Sequence, residues 1–350
     1  MPGSMSESHL RALAGRDPLS ADDVARAVDR CFAPIRVQVS GRSGVGKSTV
    51  RAVLDASGAL LDGSVALLDG SVALSGDRMS VVETAPMDVP GSLDPVLDGD
   101  VLVHVMGGGP QQADLDVVCA ATEVVAVLAK ADTLDDEDAA ARALSLTVGV
   151  PVYPLMGTIA AALARDQPET FASLRPIAAQ ILPEMLLTPD RFLSAELPIP
   201  REERAVLSEQ IELHGVRVVT RALTADPGID DAALRSLLAD ESGADAVVAA
   251  VRRAIDGVMT DRQGRLLHEL TAVCARHPLT TEELEGYLAS DEVVVIAMRS
   301  GLRALGEAEE ADPTPATVRT WRARSTSARD PGEARAALAV ARGYLRSVIR

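Results

Sequence analysis

Residues 37–50, VQVSGRSGVGKSTV, decide the fold class of this chain. They begin with alternating apolar residues, as in a β-strand, and continue into a loop that contains Gly41, Gly44 and Gly46. Glycines allow the loop backbone to wrap tightly, so that successive N–H groups point towards one centre. The helix expected after the loop adds the positive end of its dipole. The stretch therefore predicts an anion-binding loop between a strand and a helix.

The loop also matches G-x-x-x-x-G-K-[ST], the pattern that cradles nucleotide phosphates in P-loop proteins. We expect the Lys47 ammonium to reach the β- and γ-phosphates and the Ser48 hydroxyl to contact Mg²⁺. The predicted phosphate-binding residues are Gly41, Ser43, Gly44, Val45, Gly46, Lys47, Ser48 and Thr49.

Lysine usage supports this interpretation over a glycine-rich turn with an incidental lysine. The 34 basic residues include only two lysines, Lys47 and Lys130. A guanidinium group is planar and bulky, so it cannot act as a compact charge beneath the phosphates. A chain that otherwise uses arginine is expected to keep lysine where arginine fails, and Lys130 therefore marks a second position of interest.

Lys130 lies in VLAKADTL, after a predicted strand and before a helix. A carboxylate at Asp132 is suited to accept hydrogen bonds from N1 and N2 of guanine, whereas adenine has no matching donors. The segment resembles the Asn/Thr-Lys-x-Asp motif of P-loop GTPases, with Ala129 at the polar position. The resemblance implies that the Lys130 stem covers the base, and that Met156 and Gly157 contact it. The Ala129 replacement predicts weaker binding with unchanged base choice.

The segments that read the γ-phosphate depart from the GTPase pattern. In SVVETAP, Glu83 stands at the usual Asp, where it would hold Mg²⁺ through a water, and Pro86 stands at the usual Gly but has no N–H to donate. The chain has no threonine between residues 50 and 83, where the family has a switch threonine. The near-repeat LDGSVAL at 61–74 predicts a compact hairpin there instead. We expect GTP or GDP and Mg²⁺ as cofactors, slow or absent hydrolysis, and no identifiable catalytic residue.

The 350 residues are enough for two domains. Strands are predicted at 35–40, 79–84, 101–106, 123–129 and 150–155. They alternate with helices, which predicts an α/β domain with a mainly parallel sheet followed by an all-helical bundle. The predicted divisions are an N-terminal helical segment at 1–33, a GTPase-like P-loop domain at 34–164 and a helical bundle or stalk at 165–350. His104 is interpreted as a strand residue rather than a catalyst.

N-cap residues and the spacing of apolar residues predict helices in the N-terminal segment and in the second half of the chain. One is predicted at 20–32 with Ser20 as its N-cap, one at 202–223, and two separate helices at 245–259 and 261–275. The last helix follows the cap Asp330, and its predicted apolar face consists of Ala334, Leu338, Ala341, Leu345 and Ile349.

The net charge of −17 makes the chain a poor binder of nucleic acid, which requires a basic surface. Residues 317–350 are the exception, with eight arginines and two acidic residues. This segment either docks on the chain's own acidic surface or contacts anionic lipid or a partner. The three cysteines lack metal-ligand spacing, and no apolar run is long enough for a membrane span. A cytoplasmic protein is expected, with peripheral membrane contact through 317–350 as an extension.

Three segments of the second half, HGVRVVTRAL, DDAALRSLLADESGAD and AVVAAVRRAIDGVMTDRQGRLLHELTAV, resemble the helical region of actinobacterial dynamin-like GTPases, particularly the isoniazid-inducible pair. The resemblance implies a GTPase head of the TRAFAC class, a helical bundle and a role in membrane remodelling. It also implies a partner GTPase, or a homodimer or heterodimer.

The leading hypothesis is a dynamin-like, guanine-nucleotide-binding protein with weak or absent hydrolysis that acts with a partner GTPase or in an assembly. One alternative is a self-sufficient slow GTPase that uses Glu83 and a switch serine. Others are a P-loop ATPase or small-molecule kinase, and an interaction module whose pocket binds nothing.

Overall fold

The computed structural model describes residues 7–13, 18–57, 79–89, 91, 95–134, 136–164, 169–277 and 281–349. Contacts divide these residues into two units. The sheet unit contains 36–57 and 80–254, and the helical unit contains the residues before 36 and those from 255 onward. The helices between 157 and 254 thus belong with the sheet, whereas the sequence-based division begins the helical domain at 165. The predicted LDGSVAL hairpin lies outside the described residues.

Five strands form the sheet, in the order β2-β1-β3-β4-β5. The pairs β1–β3, β3–β4 and β4–β5 are parallel, which confirms the predicted α/β class with a mainly parallel sheet. Each predicted strand is present. The strands at 101–106 and 124–129 are almost wholly buried, as the apolar inner strands of a parallel sheet are, whereas the strand at 79–83 is only partly buried. The strands are β1 (Ile35–Gly41), β2 (Met79–Glu83), β3 (Val101–Met106), β4 (Val124–Ala129) and β5 (Val152–Leu155).

The strand order locates the expected binding edge of this sheet. The chain passes from β1 to β2 on one side and then returns to β3 on the other side of β1. In open α/β sheets, ligands bind outside the carboxyl ends of the strands at such a reversal. The glycine-rich loop follows β1 directly, so it lies at this point of the sheet.

Helices flank the sheet or follow it within the same unit. Phe192, Val216 and Leu234 pack in one apolar core with Met156 at the end of β5. The helices are α3 (Lys47–Ala56), α4 (Gln112–Ala120), α5 (Glu137–Val148), α6 (Gly157–Ala164), α7 (Glu169–Leu174), α8 (Pro189–Ser194), α9 (Arg201–Gln210), α10 (Glu212–Ala225) and α11 (Asp231–Ser242).

The single helix predicted at 202–223 is wrong, because the chain breaks between α9 and α10. Glu212 has a φ of +56°, in the left-handed region that non-glycine residues rarely adopt. Ile211 is buried in the adjacent core. The break therefore interrupts a segment whose apolar periodicity predicts one continuous helix.

The opposite correction applies to the two helices predicted at 245–259 and 261–275, which are one 33-residue helix, α12 (Ala244–Arg276). Thr260 donates its hydroxyl to the Asp256 carbonyl, 2.8 Å away, instead of capping a new helix. A threonine bonded to the preceding turn is compatible with an uninterrupted helix.

The helical unit has two apolar cores. Leu10 and Val28 pack with Leu270 in the first, and Met298 packs with Val340 and Tyr344 in the second. Besides the C-terminal part of α12, its helices are α1 (Glu7–Ala12), α2 (Pro18–Cys31), α13 (Glu282–Leu288), α14 (Asp291–Ala304), α15 (Pro315–Ser327) and α16 (Pro331–Ile349). Helix α2 begins two residues before the predicted cap, so Ser20 lies inside it and is buried.

The last helix begins as predicted but buries a different face. The Asp330 carboxylate accepts a hydrogen bond from the Glu333 N–H at 2.7 Å and caps α16. Leu338 and Ile349 are exposed, at 38% and 73%, whereas Val340 and Tyr344 are buried. A Cβ at Gly343 would lie 2.5 Å from Met298, so small residues let α16 approach α14 on that side. This close approach outweighs the larger leucines in deciding the buried face.

No helix within the described ranges combines the length and the apolar character needed to cross a membrane.

Candidate nucleotide-binding site

The loop after β1 has the backbone that a phosphate cradle requires. Gly41, Gly44 and Gly46 have φ values of +143°, +69° and +103°. A Cβ at Gly41 would lie 2.4 Å from the Val105 carbonyl oxygen, so glycine is required there both for the conformation and for the space. Helix α3 begins at Lys47, immediately after the loop. The predicted strand, loop and helix are therefore all present.

Lys47 lies inside this loop rather than in solvent. Its side chain is buried, and Nζ donates a hydrogen bond to the Arg42 carbonyl oxygen at 2.9 Å. The ammonium therefore lies among the N–H groups of the loop and at the N-terminus of α3, where it adds to their positive potential. An anion bound here would meet a charge that the backbone already holds in position.

The predicted metal-binding pair is brought together. Ser48 donates its hydroxyl to the Glu83 carboxylate at 3.1 Å, so the first turn of α3 and the end of β2 meet. Magnesium in nucleotide sites uses hard oxygen ligands, one or two of them from protein and the rest from phosphate and water. Ser48 and Glu83 would fit that donor set, with Ser48 as a direct ligand and Glu83 acting through a water.

Asp88 is a site residue that the sequence interpretation missed. Its carboxylate accepts a hydrogen bond from the Ser43 N–H at 2.7 Å. Ser43 is one of the predicted phosphate-binding residues, so a carboxylate contacts an N–H that a phosphate would use. Asp88 follows Pro86 by two residues, in the segment that was predicted to read the γ-phosphate poorly. The only sequence signal was an acidic residue soon after β2.

A buried polar network lies behind the loop. Ser40 Oγ is 3.0 Å from His104 Nδ1, and His104 Nε2 is 3.0 Å from an Asp114 oxygen. This order of serine, histidine and aspartate resembles a nucleophilic triad. All three side chains are fully buried, however, so no substrate reaches the serine. The prediction that His104 is a strand residue and not a catalyst agrees with this environment.

The network instead holds the start of the loop. Asp114 also pairs with Arg42, at 3.1 Å, and Arg42 donates to the Gly109 carbonyl. Burial opposes ionisation of Asp114, but hydrogen bonds from His104 and the Gln111 N–H, together with the Arg42 charge, outweigh it and lower the Asp114 pKa. The aspartate is therefore an anion that anchors Arg42, the residue after Gly41.

A cavity of ≈ 190 Å³ adjoins the phosphate loop. Its walls come from the loop and α3, the end of β4, the start of α6 and the start of α10. The lining residues are Gly46, Thr49, Val50, Ala129, Lys130, Asp132, Thr133, Leu155, Gly157, Thr158 and Glu212. Three predicted base-contacting residues, Lys130, Asp132 and Gly157, are thus brought to one cavity, and the phosphate loop contributes one wall.

Two predicted site residues have different surroundings. Met156 is buried in the core beyond the cavity, and its N–H donates to the Ser242 carbonyl at 2.8 Å. The cavity is lined by Thr158 and not by Met156. Thr49 was predicted to bind phosphate but lines the cavity. A Cβ at Gly157 would lie 2.6 Å from the Thr49 methyl group, so glycine lets α3 and α6 meet there.

The phosphate loop meets the end of β4 at Ala129. A Cβ at Gly46 would lie 3.4 Å from the Ala129 Cβ, so this side chain faces the loop across the base of the cavity. The alanine packs against the loop but offers it no hydrogen bond. The predicted loss of a polar bridge is therefore consistent with its position.

Glu212 was not predicted to belong to the site. Its carboxyl group interacts with the Asp132 carboxyl and the Thr158 hydroxyl. Its Oε2 atom is enclosed and has no hydrogen-bond partner among the described residues. Burial and the neighbouring Asp132 raise the pKa of Glu212 to about 7. The sequence carried no signal for this residue, because the helix break that aims it is itself unpredicted.

The basic segment 317–350 forms α15 and α16 in the helical unit. Arg324 pairs with Glu307 and Glu333, and Arg346 pairs with Asp291. Docking on acidic residues of the same unit therefore accounts for these two arginines. Five others are exposed and have no ion-pair partner within the described part of the chain, namely Arg319, Arg322, Arg329, Arg335 and Arg342.

No protein-family model and no curated protein sequence matches the chain, so the interpretation of the site depends on its own geometry.

Proposed function

We propose that this protein binds a guanine nucleotide, with the phosphates on the loop at 41–49 and the base in the adjoining cavity. The observation that carries the proposal is the continuity of these two features, since Gly46 belongs to both. A loop that binds phosphate leads directly to a cavity with a carboxylate and an ammonium. Asp132 accepts N–H donors that guanine has and adenine lacks, while the Lys130 stem covers the base.

We further propose that hydrolysis is slow or absent. Phosphoryl transfer depends on groups that hold the γ-phosphate and its attacking water. Pro86 has no N–H to donate, and the Asp88 carboxylate occupies the Ser43 N–H. Both features weaken binding of the third phosphate more than binding of the first two.

A self-sufficient slow GTPase is the second candidate, favoured by the contact between Ser48 and Glu83. That pair supplies what Mg²⁺ requires from protein. When bound, Mg²⁺ would neutralise phosphate charge, and Glu83 would orient one of its waters. A P-loop ATPase or small-molecule kinase fits less well, because two carboxyl groups in the base cavity give adenine few partners.

The dynamin-like role, the partner GTPase and the membrane contact are part of the same proposal. The five exposed arginines, four on α15 and α16 and Arg329 between the two helices, suit anionic lipid, which attracts clustered basic residues. Flotation with phosphatidylserine vesicles tests this. Replacing Arg335 and Arg342 with glutamine should reduce vesicle binding, whereas replacing Arg324, which is already paired, should reduce it less.

Calorimetry with GDP, GTPγS and ADP tests the main proposal. We expect the wild-type chain to bind GDP and GTPγS more tightly than ADP, and Lys47→Ala to weaken GDP binding about 100-fold. Equal affinity for ADP and GDP, or GDP binding that Lys47→Ala leaves unchanged, contradicts it. Turnover measured with and without a partner GTPase and vesicles separates the two hydrolysis alternatives.

A further inference from the structure

Glu212 is held in an unfavourable backbone conformation that points to a function. Only two non-glycine residues within the described ranges have positive φ, Lys130 at +58° and Glu212 at +56°. Both line the same cavity, from different walls. Strained backbone of this kind concentrates at ligand sites, where surrounding structure maintains it. At Glu212 the strain stops α9 and aims the side chain into the cavity.

The carboxyl group of Glu212 also lacks a partner that a ligand could supply. Oε2 is closed to solvent and has no hydrogen bond among the described residues, so a base reaches it only when the side chain turns towards the cavity that Glu212 lines. The cost of an unsatisfied buried acceptor favours that turn. The charged or titratable groups that face it are Asp132 and Lys130, both at the end of β4, and Thr158 of α6 adds a hydroxyl. Two adjacent carboxyl groups are best satisfied by a ligand that carries several neighbouring N–H donors.

We propose that Glu212 is a specificity-determining residue that accepts an N–H of the guanine 2-amino group beside Asp132. This inference rests on the proposed function. Guanine presents three N–H donors along one edge, one on N1 and two on the 2-amino group. Asp132 takes the N1 donor and one of the others, and Glu212 takes the third. A base without the 2-amino group, such as hypoxanthine, leaves Glu212 unsatisfied.

The same geometry couples base binding to a proton. Without base donors, Glu212 lies beside Asp132 and holds a proton near neutral pH, because burial and Asp132 raise the pKa of Glu212 to about 7. Guanine N–H groups replace that proton, so binding releases it. Affinity for GDP should therefore rise with pH, by about tenfold between pH 6 and 8 for a group with this pKa.

Calorimetry with GDP and inosine 5′-diphosphate tests the inference on three chains. The wild type should prefer GDP about 100-fold, because inosine diphosphate forgoes one charge-assisted hydrogen bond to Asp132 and one to Glu212. Glu212→Ala should reduce that preference to about tenfold by weakening GDP alone. Glu212→Gln should bind GDP with a much smaller pH dependence than the wild type. Titration of the phosphates affects both chains equally, so it cancels when the two pH dependences are subtracted.

A further variant guards against simple misfolding. Glu212→Gly relieves the positive φ, so it should raise the melting temperature while it reduces the preference for GDP as far as Glu212→Ala does. A wild-type chain that binds GDP in a Lys47-dependent way, together with a GDP preference as large in Glu212→Ala and Glu212→Gly as in the wild type, overturns the role of Glu212 alone. A wild-type chain that binds no guanine nucleotide overturns the proposed function as well.

Discussion

The two ends of the site are built on different physical principles. At the phosphate end, backbone N–H groups, a helix N-terminus and the enclosed Lys47 create a positive cradle, and the network through Asp114 holds it in place. At the base end, carboxyl groups of Asp132 and Glu212 dominate, and the strain lies in the backbone of the lining residues. In the proposed function, the first end binds the phosphates of any nucleotide, whereas the second end selects a base that donates several N–H groups. Affinity and choice of base should therefore be separable by mutation.

Asp114→Asn should have the largest effect, on the phosphate end. It leaves Arg42 without its buried anion, and breaking such a pair costs about 3 kcal/mol of unfolding free energy. Because the folded-state pKa of Asp114 is lowered, its stabilising contribution is present above the ordinary value of 3.8 and is lost as pH falls through the folded value.

Urea denaturation at pH 7 and at pH 3 measures this effect. The exposed Asp116, on the same helix, provides the control as Asp116→Asn, which should change stability little. A difference of less than 1 kcal/mol between Asp114→Asn and the control variant at pH 7 would contradict the anchoring role.

Lys47→Ala should weaken GDP binding about 100-fold, because it removes a charge-assisted contact with the phosphates. Inosine diphosphate should weaken by the same factor, so the ratio between the two nucleotides stays constant. Calorimetry on both ligands checks the claim, and a changed ratio would mean that the two ends of the site are not separable.

Asp132→Ala should produce the converse result, a loss of base choice. Removing its carboxylate should weaken GDP binding by about 2 kcal/mol, or roughly 30-fold. ADP binding should stay unchanged, because adenine makes no hydrogen bond to the wild-type Asp132. Competition of GDP and ADP against a fluorescent guanine nucleotide measures the ratio. An unchanged GDP to ADP ratio would remove Asp132 from the base site.

Asp88→Ala should tighten GTPγS by about tenfold and GDP by less, because it frees the Ser43 N–H and removes repulsion of the additional phosphate. Stopped-flow dissociation rates or calorimetry give both affinities. If both ligands gain equally, Asp88 acts on the loop as a whole rather than on the third phosphate.

Ala129→Asn should have the smallest effect, about threefold tighter binding of GDP, through a new hydrogen bond between the end of β4 and the phosphate loop. Ala129→Val is the matched control, since it adds volume without a donor or acceptor. Tightening in both variants would indicate packing, and tightening in neither would count against the bridge.

The sequence predicted the parts of the site that are contiguous in the chain. The glycines within residues 41–48 define the loop conformation locally, and the presence of only two lysines in the chain indicated Lys130. The strands were predicted closely because continuous apolar runs leave few alternatives. Asp88, Asp114 and Glu212 were missed, since each acts through a contact with a residue distant in sequence.

The helix errors have a common physical origin. At Glu212 no glycine or proline marks the break, and tertiary contacts hold a conformation that local preference disfavours. At Thr260 the helix continues, and the threonine bonds to the preceding turn instead of capping the new helix that the pattern predicts. In α16, the close approach of Gly343 to Met298 buries the face that carries Val340 and Tyr344 instead of the face that carries Leu338 and Leu345. Local patterns report periodicity, but packing decides continuity and orientation.

A crystal structure with GDP and Mg²⁺ tests the central claim most directly. We expect the β-phosphate to lie within the loop at 43–48. We also expect N1 and N2 of guanine each to lie within about 3 Å of an Asp132 carboxylate oxygen. Phosphates bound to the loop while the base lies outside the cavity, with Lys130 and Asp132 facing solvent, would contradict it.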